Sequence, residues 1–196
     1  MKIRRLSPLK RIWHDGGSGA RLDGSFWTLA EENYGWRLLG DISCRGHSKC
    51  DRTILAVKDI SSKKDVLKSP IDHRWAWDDS GSGADYDVKV YELLPPLGYK
   101  CLGNVAMGSY RSAPNLKNYA CVKTEYLEEV QISGMIWNDG GSGADDDIYT
   151  YGIADRKPCC VETGNFVTHR YSIWYSIPKK ICITEDGRNY EDVSDY

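Results

Sequence analysis

Apolar and polar residues alternate over short runs along this chain, and the spacing typical of amphipathic helices is almost absent. In "DVKVYEL", which begins at Asp87, the two valines fall on one face, and Lys89 and Tyr91 fall on the other. A period of two residues bounded by glycine clusters is typical of a β-strand with one buried face. The pattern therefore predicts short strands, and the glycine and proline turn signals between them predict small antiparallel sheets.

One pattern occurs three times, in the order W-x-D-x-G-S-G-A-x-x-D. Its tryptophans are Trp13, Trp77 and Trp137, at intervals of 64 and 60 residues. Farther along each copy, a glycine precedes a polar residue in "LLGD", "CLGN" and "ETGN", and a short apolar strand closes the copy. Such regular spacing indicates an internal repeat. The repeats span roughly residues 9–62, 71–130 and 132–188.

Three repeats of about sixty residues predict a single domain over residues 1–196, because one such unit buries only a marginal core by itself. Three small sheets become compact when they pack as the faces of a triangular prism, with their apolar sides meeting at a pseudo-threefold axis. A trefoil barrel is the alternative, although its repeats are usually shorter. We therefore predict an all-β fold, a β-prism of three antiparallel sheets, with the repeated tryptophans packed in the core.

Composition limits the function. The net charge of −2 excludes the broad basic surface that nucleic-acid binding needs. The chain has no apolar run of about 18 residues, the length that would span a bilayer. The opening residues "MKIRRLSPLK" are basic and lack the apolar core of a secretory signal. We therefore expect a cytoplasmic or peripheral membrane protein.

Seven cysteines are present, and they do not follow the repeat. Mostly reduced, buried thiols are the preferred interpretation. Disulfides between Cys44 and Cys50, or between Cys101 and Cys121, are compatible with the sequence as well. A zinc site built from cysteines is disfavoured because no Cys-x-x-Cys pair occurs.

The repeated motif, with "PPLGYKCLGNVA" at residues 95–106, resembles the vacuolar protein sorting-associated protein 62 family of fungi and plants. The resemblance implies a relation to β-prism modules, including some that bind membranes in endosomal sorting and some that end pore-forming proteins. Two copies depart from the motif. The third has "PCCVETGN" in place of "GYKCLGN", and the first has Arg21 where the others have Asp85 and Asp145. Arg21 is expected to pair with Asp23.

The loops also resemble those of jacalin-related and griffithsin-like β-prism lectins, through a Gly-x-x-x-Asp spacing and a Gly-Gly-Ser-Gly turn. This resemblance implies glycan binding. Backbone N–H groups of a glycine turn and a carboxylate can bond sugar hydroxyls, and an aromatic ring can cover the apolar face of a pyranose. The candidate ligand-binding residues are Gly19, Asp23 and Trp27, then Gly83, Asp85, Asp87 and Tyr91, then Gly143, Asp145, Asp147 and Tyr151.

Other interpretations of the loops stay open. An aspartate beside a glycine turn often fixes the turn by bonding its own backbone. Calcium is possible at the acidic third loop, through Asp139, Asp145 and Asp147, because it takes several oxygen ligands. Phospholipid would need a different surface, such as the basic start of the chain. The alternative function is thus a membrane-binding prism used in trafficking or in targeting a pore-forming protein.

An enzyme is not expected. The histidines His14, His47, His73 and His169 occur in unrelated contexts, and spacing does not assemble a catalytic set with serine or cysteine. The three carboxylate loops are expected to lie far apart on a prism. The sequence therefore predicts a non-enzymatic recognition module whose partner is a glycan or glycoconjugate, or else a membrane lipid.

Overall fold

A computed structural model describes residues 1–30, 35–153, 165–168, 174–183 and 188, and over these residues the chain is all-β, as predicted. They form seventeen short strands and three single-turn 3₁₀ helices. Among the described residues, no helix is long and apolar enough to cross a membrane. The 3₁₀ helices are Leu116–Asn118, Thr124–Tyr126 and Lys179–Ile181.

The first third of the chain forms two antiparallel sheets of three strands. The strands are β1 Lys2–Leu6, β2 Leu9–His14, β3 Gly24–Leu29, β4 Arg37–Leu38, β5 Ile42–Arg45 and β6 Ile54–Lys58. One sheet has the order β2-β3-β5 and the other β1-β6-β4. One sheet per repeat was expected, and this part of the prediction is wrong, because the closing strand of the repeat pairs with the N-terminal strand.

The rest of the chain repeats this arrangement. The strands are β7 Leu67–Lys68, β8 Asp72–Asp78, β9 Lys89–Leu94, β10 Tyr99–Cys101, β11 Asn104–Met107, β12 Cys121–Lys123, β13 Glu128–Val130, β14 Ile132–Asn138, β15 Tyr149–Ile153, β16 Phe166–Val167 and β17 Trp174–Ser176. The second repeat has sheets of order β8-β9-β11 and β10-β12-β7, and the third has sheets of order β14-β15-β16 and β13-β17. The prism-like fold therefore has small antiparallel sheets throughout.

A shift in strand register precedes each repeated tryptophan, in β2, β8 and β14. Such a bulge re-aims the side chain that follows it. Trp13, Trp77 and Trp137 are at most 2% exposed and form a triangle, with ring centroids 6.0, 5.7 and 6.3 Å apart. Phe26 stacks on Trp13 at 5.5 Å and on Phe166 at 4.9 Å. The predicted core role of the tryptophans is confirmed.

The three Gly-polar segments in the middle of the repeats also meet. The N–H of Asp41 donates to the carbonyl of Asn104 at 2.9 Å, and the N–H of Phe166 donates to the carbonyl of Asp41 at 3.2 Å. The Nδ2 of Asn165 donates to the carbonyl of Leu102. Asp41 is fully buried, and burial raises the pKa of its carboxyl to about 7.

Disulfides join Cys44 to Cys50 and Cys101 to Cys121. The second connects β10 to its neighbour β12, where the two cysteines are directly paired. Cys182 is a buried thiol, and Cys159 and Cys160 lie outside the described residues. The prediction of mostly reduced cysteines is therefore wrong for the described part of the chain. A cytoplasmic location, which rested in part on reduced thiols, loses that support.

Candidate functional site

Each copy of the W-x-D-x-G-S-G-A motif forms a tight loop between two strands of a hairpin. The serine N–H donates to the carbonyl three residues earlier, at 3.0, 3.0 and 2.8 Å in the three copies. The serine Oγ accepts a bond from the alanine N–H two residues later. The glycines on both sides of the serine have φ between 72° and 93°. Glycine is needed there because a Cβ disfavours positive φ. These glycines are Gly17, Gly19, Gly81, Gly83, Gly141 and Gly143.

The first aspartate of each motif is buried beneath its loop. Asp15, Asp79 and Asp139 are 4%, 3% and 2% exposed. The Oδ1 of each accepts a bond from the backbone N–H nine residues later, at 3.0, 2.9 and 2.9 Å. Burial raises the pKa of Asp79 and of Asp139 above the ordinary carboxyl value. These aspartates close the loops.

The tryptophans connect each loop to the next. The indole Nε1 of Trp13 donates to Oδ2 of Asp79 at 3.1 Å, and that of Trp137 donates to Oδ2 of Asp15 at 3.0 Å. Among the described residues, the indole of Trp77 has no carboxylate acceptor and donates to a backbone carbonyl only. All three indoles donate to a backbone carbonyl of the neighbouring loop, at 2.7 to 2.8 Å: Tyr86, Asp146 and Leu22.

The loops also bond one another through their backbones. The N–H of Asp85 donates to the carbonyl of Gly16 at 2.8 Å, and that of Asp145 donates to the carbonyl of Ser80 at 2.8 Å. The N–H of Arg21 completes the circle by donating to the carbonyl of Gly140 at 3.0 Å. The expectation of widely separated loops is wrong, since residues 15–23, 79–87 and 139–147 form one ring, which we call the collar.

The collar presents most of the predicted ligand residues outward. The Oδ1 of Asp85 lies 2.8 Å from the point where a Cβ on Gly17 would stand, and the Oδ1 of Asp145 lies equally close to that point on Gly81. Each carboxylate therefore covers the glycine of the adjacent loop. The exposed predicted residues are Gly19, Asp23, Gly83, Asp85, Asp87, Gly143, Asp145 and Asp147.

Arg21 takes the place of these carboxylates in the first loop. Its Cγ lies 3.3 Å from the point where a Cβ on Gly141 would stand. The expected pair of Arg21 with Asp23 is not among the ion pairs of the described residues. Instead, the Oδ1 of Asp23 lies 3.7 Å from the Nε2 of His47.

The predicted aromatic residues face inward. Tyr91 is 8% exposed, and its hydroxyl donates to the carbonyl of Ser112 at 2.8 Å. Trp27 and Tyr151 are half-buried, and the Trp27 indole donates to the Oγ of Ser25 at 2.8 Å. Tyr91 is therefore not available for stacking on a sugar, contrary to expectation. The exposed rings nearest the motifs in sequence are Trp75, Tyr86 and Tyr149, at 48%, 61% and 45%.

The predicted calcium ligands do not converge. The Oδ1 of Asp139 points to its own backbone at Ile148 below the loop, whereas Asp145 and Asp147 are exposed above it. Among the described residues, the ligand atoms of three metal-binding side chains come within 4.8 Å of one another at Asp15, Asp23 and His47. The acidic third loop is therefore not assembled as a calcium site.

The profile of the vacuolar protein sorting-associated protein 62 family matches residues 1–180. The chain belongs to this family. A search of curated proteins returned no match. Among solved structures, the crystal structure of GNIP1Aa from Chromobacterium piscinae is similar, with 24% identity and a TM-score of 0.79. The match covers 94% of this chain and 38% of that chain, so the chain corresponds to well under half of GNIP1Aa. At this identity the similarity shows the fold alone.

Family membership and fold support a β-rich recognition module. The repeats within this family member also allow internal comparison, because equivalent residues can be read at a fixed offset. His47 stands six residues after Asp41, and Tyr110 stands six residues after Asn104. His47 contacts Asp15, and the hydroxyl of Tyr110 donates to the Oδ1 of Asp79 at 2.7 Å. Sequence reasoning missed this contact, although the offset from the Gly-polar segment marks it.

Proposed function

We propose that this chain is a non-enzymatic recognition module that binds glycans on the outer surface of the collar. The observation that supports the proposal most is the closed ring of backbone hydrogen bonds between the three loops. A ligand site needs groups held in place before binding, because ordering a flexible loop weakens affinity. Here the loops are fixed from below by buried aspartates and from the side by indoles.

The chemistry of the collar suits hydroxylated ligands. Exposed carboxylates can accept two hydroxyl hydrogen bonds each, and such charge-assisted bonds are stronger than neutral ones. Asp85 and Asp87 belong to the second loop, and Asp145 and Asp147 belong to the third. Their charge disfavours phosphate. The ring of Tyr86, which is 61% exposed, can pack against the apolar face of a sugar, whereas the ring of Tyr91 is buried.

Glycan binding is tested with a glycan array followed by competition with free sugar. Wild-type protein should bind a defined set of glycans, and free mannose or galactose should release it. Asp87→Ala and Asp147→Ala should each bind at least about tenfold more weakly, since a charged hydrogen-bond partner is lost. Asp72→Ala is the matched control, an exposed aspartate at the other end of the β8–β9 hairpin. An array without hits for folded protein would remove the proposal.

Membrane binding is the second candidate, and one surface favours it. Leu97 is fully exposed in the turn between β9 and β10, and Ile71, whose N–H donates to the carbonyl of Leu94 at 2.9 Å, is 67% exposed. Lys68 lies over the ring of Tyr99, two residues after Leu97, so one cation lies close to this apolar turn. The turn lies at the end of β8 and β9 away from the collar. Flotation with vesicles containing phosphatidylserine, with Leu97→Glu as the variant, tests this function separately.

A further inference from the structure

We propose that the first repeat holds a divalent transition-metal ion, such as zinc, between Asp15, Asp23 and His47. The ligand atoms of these three side chains all lie within 4.8 Å of one another. One imidazole and two carboxylates suit zinc, which takes nitrogen and oxygen ligands at about 2.0 to 2.2 Å. The inference is independent of glycan binding.

The three ligands divide into one fixed and two adjustable groups. Asp15 is 4% exposed and is held through Oδ1 by the N–H of Gly24 and through Oδ2 by the indole of Trp137. Hydrogen bonds of this kind orient a metal-binding carboxylate. The side chains of His47 and Asp23 are 33% and 71% exposed, so both can move to close around an ion.

The distances require a small adjustment. The Nε2 of His47 lies 3.7 Å from the Oδ1 of Asp23, close to the separation of about 3.4 Å between two ligands of a tetrahedral zinc. The same nitrogen is hydrogen-bonded to the Oδ1 of Asp15. An ion would replace the proton of that bond, and the imidazole would withdraw slightly to admit it. Two carboxylates and a neutral imidazole would balance the charge of the ion.

Comparison with the second repeat shows that the histidine is not needed to hold the loop. Asp79, Asp87 and Tyr110 are the equivalents of Asp15, Asp23 and His47 in order. The hydroxyl of Tyr110 donates to Asp79 at 2.7 Å, so the structural bond to the buried aspartate is made without an imidazole. Closing the loop therefore does not require histidine. The first repeat has an imidazole, one of the best ligands for zinc, where the second has a phenol, which is a poor one.

Arg11 and His14 complete the surroundings. The guanidinium of Arg11 donates to the backbone carbonyl of His47, which positions the segment that bears the ligand. The ring of His14 lies 4.9 Å from that of His47, and its Nδ1 accepts a bond from the N–H of Gly16. Asn138 is equivalent to His14 and accepts the same bond from Gly140. His14 is therefore assigned to the loop backbone and not to the ion.

The test is zinc titration by calorimetry of the metal-free full chain, with its disulfides intact. Wild-type protein should bind one zinc with a Kd of about 1 µM or below. At roughly 100 µM zinc the melting temperature should then rise by about 5 to 10 °C. Calcium and magnesium should produce no shift. Absence of binding to zinc, cobalt and nickel alike would overturn the proposal.

Three variants assign the ligands. His47→Tyr copies the second repeat and keeps the bond to Asp15, so it should fold and lose zinc binding by at least about 100-fold. His14→Asn copies the third repeat and should bind within about threefold of wild type. Tyr110→His should create a second site of similar affinity. Unchanged binding by His47→Tyr would place the ion elsewhere, for example on cysteine thiols. A cobalt spectrum with a sulfur-to-metal charge-transfer band would reveal that outcome directly.

Discussion

The indole nitrogen of Trp137 donates a hydrogen bond to the Oδ2 of Asp15, 122 residues earlier in the chain, at 3.0 Å. This bond links the third repeat to the first at the level where the loops form the collar. Trp13 makes the same bond to Asp79, whereas Trp77 donates to a backbone carbonyl alone. The three tryptophans are thus equally buried but differently bonded, which allows the carboxylate bond to be measured.

Replacing Trp137 by phenylalanine should lower the free energy of unfolding more than replacing Trp77 by phenylalanine. Both changes remove ring area and a bond to a carbonyl, but only the first leaves a buried carboxylate oxygen, the Oδ2 of Asp15, without its indole donor. The difference should be about 1.5 to 3 kcal/mol. Urea denaturation of both variants measures it, and equal losses would show that the Asp15 bond contributes nothing.

Alanine substitutions at Gly81 and Gly98 distinguish the stability cost of backbone strain from the cost of crowding in the collar. Their φ angles are 83° and 82°, but a Cβ on Gly81 would stand 2.8 Å from the Oδ1 of Asp145, whereas a Cβ on Gly98 meets nothing within 4 Å. Alanine at Gly98 should cost roughly 1 to 2 kcal/mol of stability through φ alone. Alanine at Gly81 should cost more and should also displace Asp145.

Stability and binding of these two variants are measured together. We expect Gly81→Ala to weaken glycan binding while Gly98→Ala, on the turn at the other end of the hairpin, leaves it unchanged. If Gly98→Ala were the more destabilised protein, the contact between Asp145 and the second loop would not hold the collar together.

Asp41 should make the protein less stable at high pH. Its pKa is raised from 3.8 to about 7 in the folded state by burial. Between these pH values the folded protein keeps a proton that the unfolded chain has released, so stability falls as pH rises through this window and is constant above it. Asp41→Asn should remove this fall, because a carboxamide does not titrate. The variant should fold, since Asn104 and Asn165 already occupy the equivalent positions.

The gain of Asp41→Asn over wild type should therefore be larger at pH 8 than at pH 4, by an amount on the order of 4 kcal/mol. Urea denaturation at a series of pH values gives this difference directly. Asp72→Asn, at an exposed aspartate, is the control that should follow the wild-type curve. A parallel pH dependence of Asp41→Asn and wild type would show that Asp41 is ionised in the folded protein.

Thiol counting should find at least four fewer reactive cysteines in denatured, unreduced protein than in denatured, reduced protein. The four are Cys44, Cys50, Cys101 and Cys121. Removing the Cys101–Cys121 bond by a double change to alanine should lower stability by about 2 to 4 kcal/mol. Seven reactive thiols without reductant would contradict both disulfides.

The local pattern was enough to predict the all-β class and the repeat, because strand periodicity and the fixed motif depend on residues that are close in sequence. It was not enough to predict that Tyr91 is buried. Alternation placed Tyr91 opposite the buried valines, yet its hydroxyl bonds Ser112, and both faces of β9 are covered. That contact depends on a loop 21 residues away, which no period of two can reveal.

The collar could not be predicted from the sequence for the same reason. Each loop looks complete by itself, and the bonds that join the loops run from one repeat to the next. His47 illustrates the remaining gap. Its partner Asp15 is 32 residues away, and the pairing becomes visible when the repeats are aligned on Asp41 and Asn104.

The most direct test of the account is surface binding of Asp87→Ala and Asp147→Ala beside wild type, on the glycan that the array selects. Circular dichroism first establishes that each variant is folded. We predict a loss of at least about tenfold for each, larger where several loops engage one surface, because avidity multiplies the effect of a single site. Wild-type binding by both folded variants would contradict recognition through the collar and would place the function on another face of the prism.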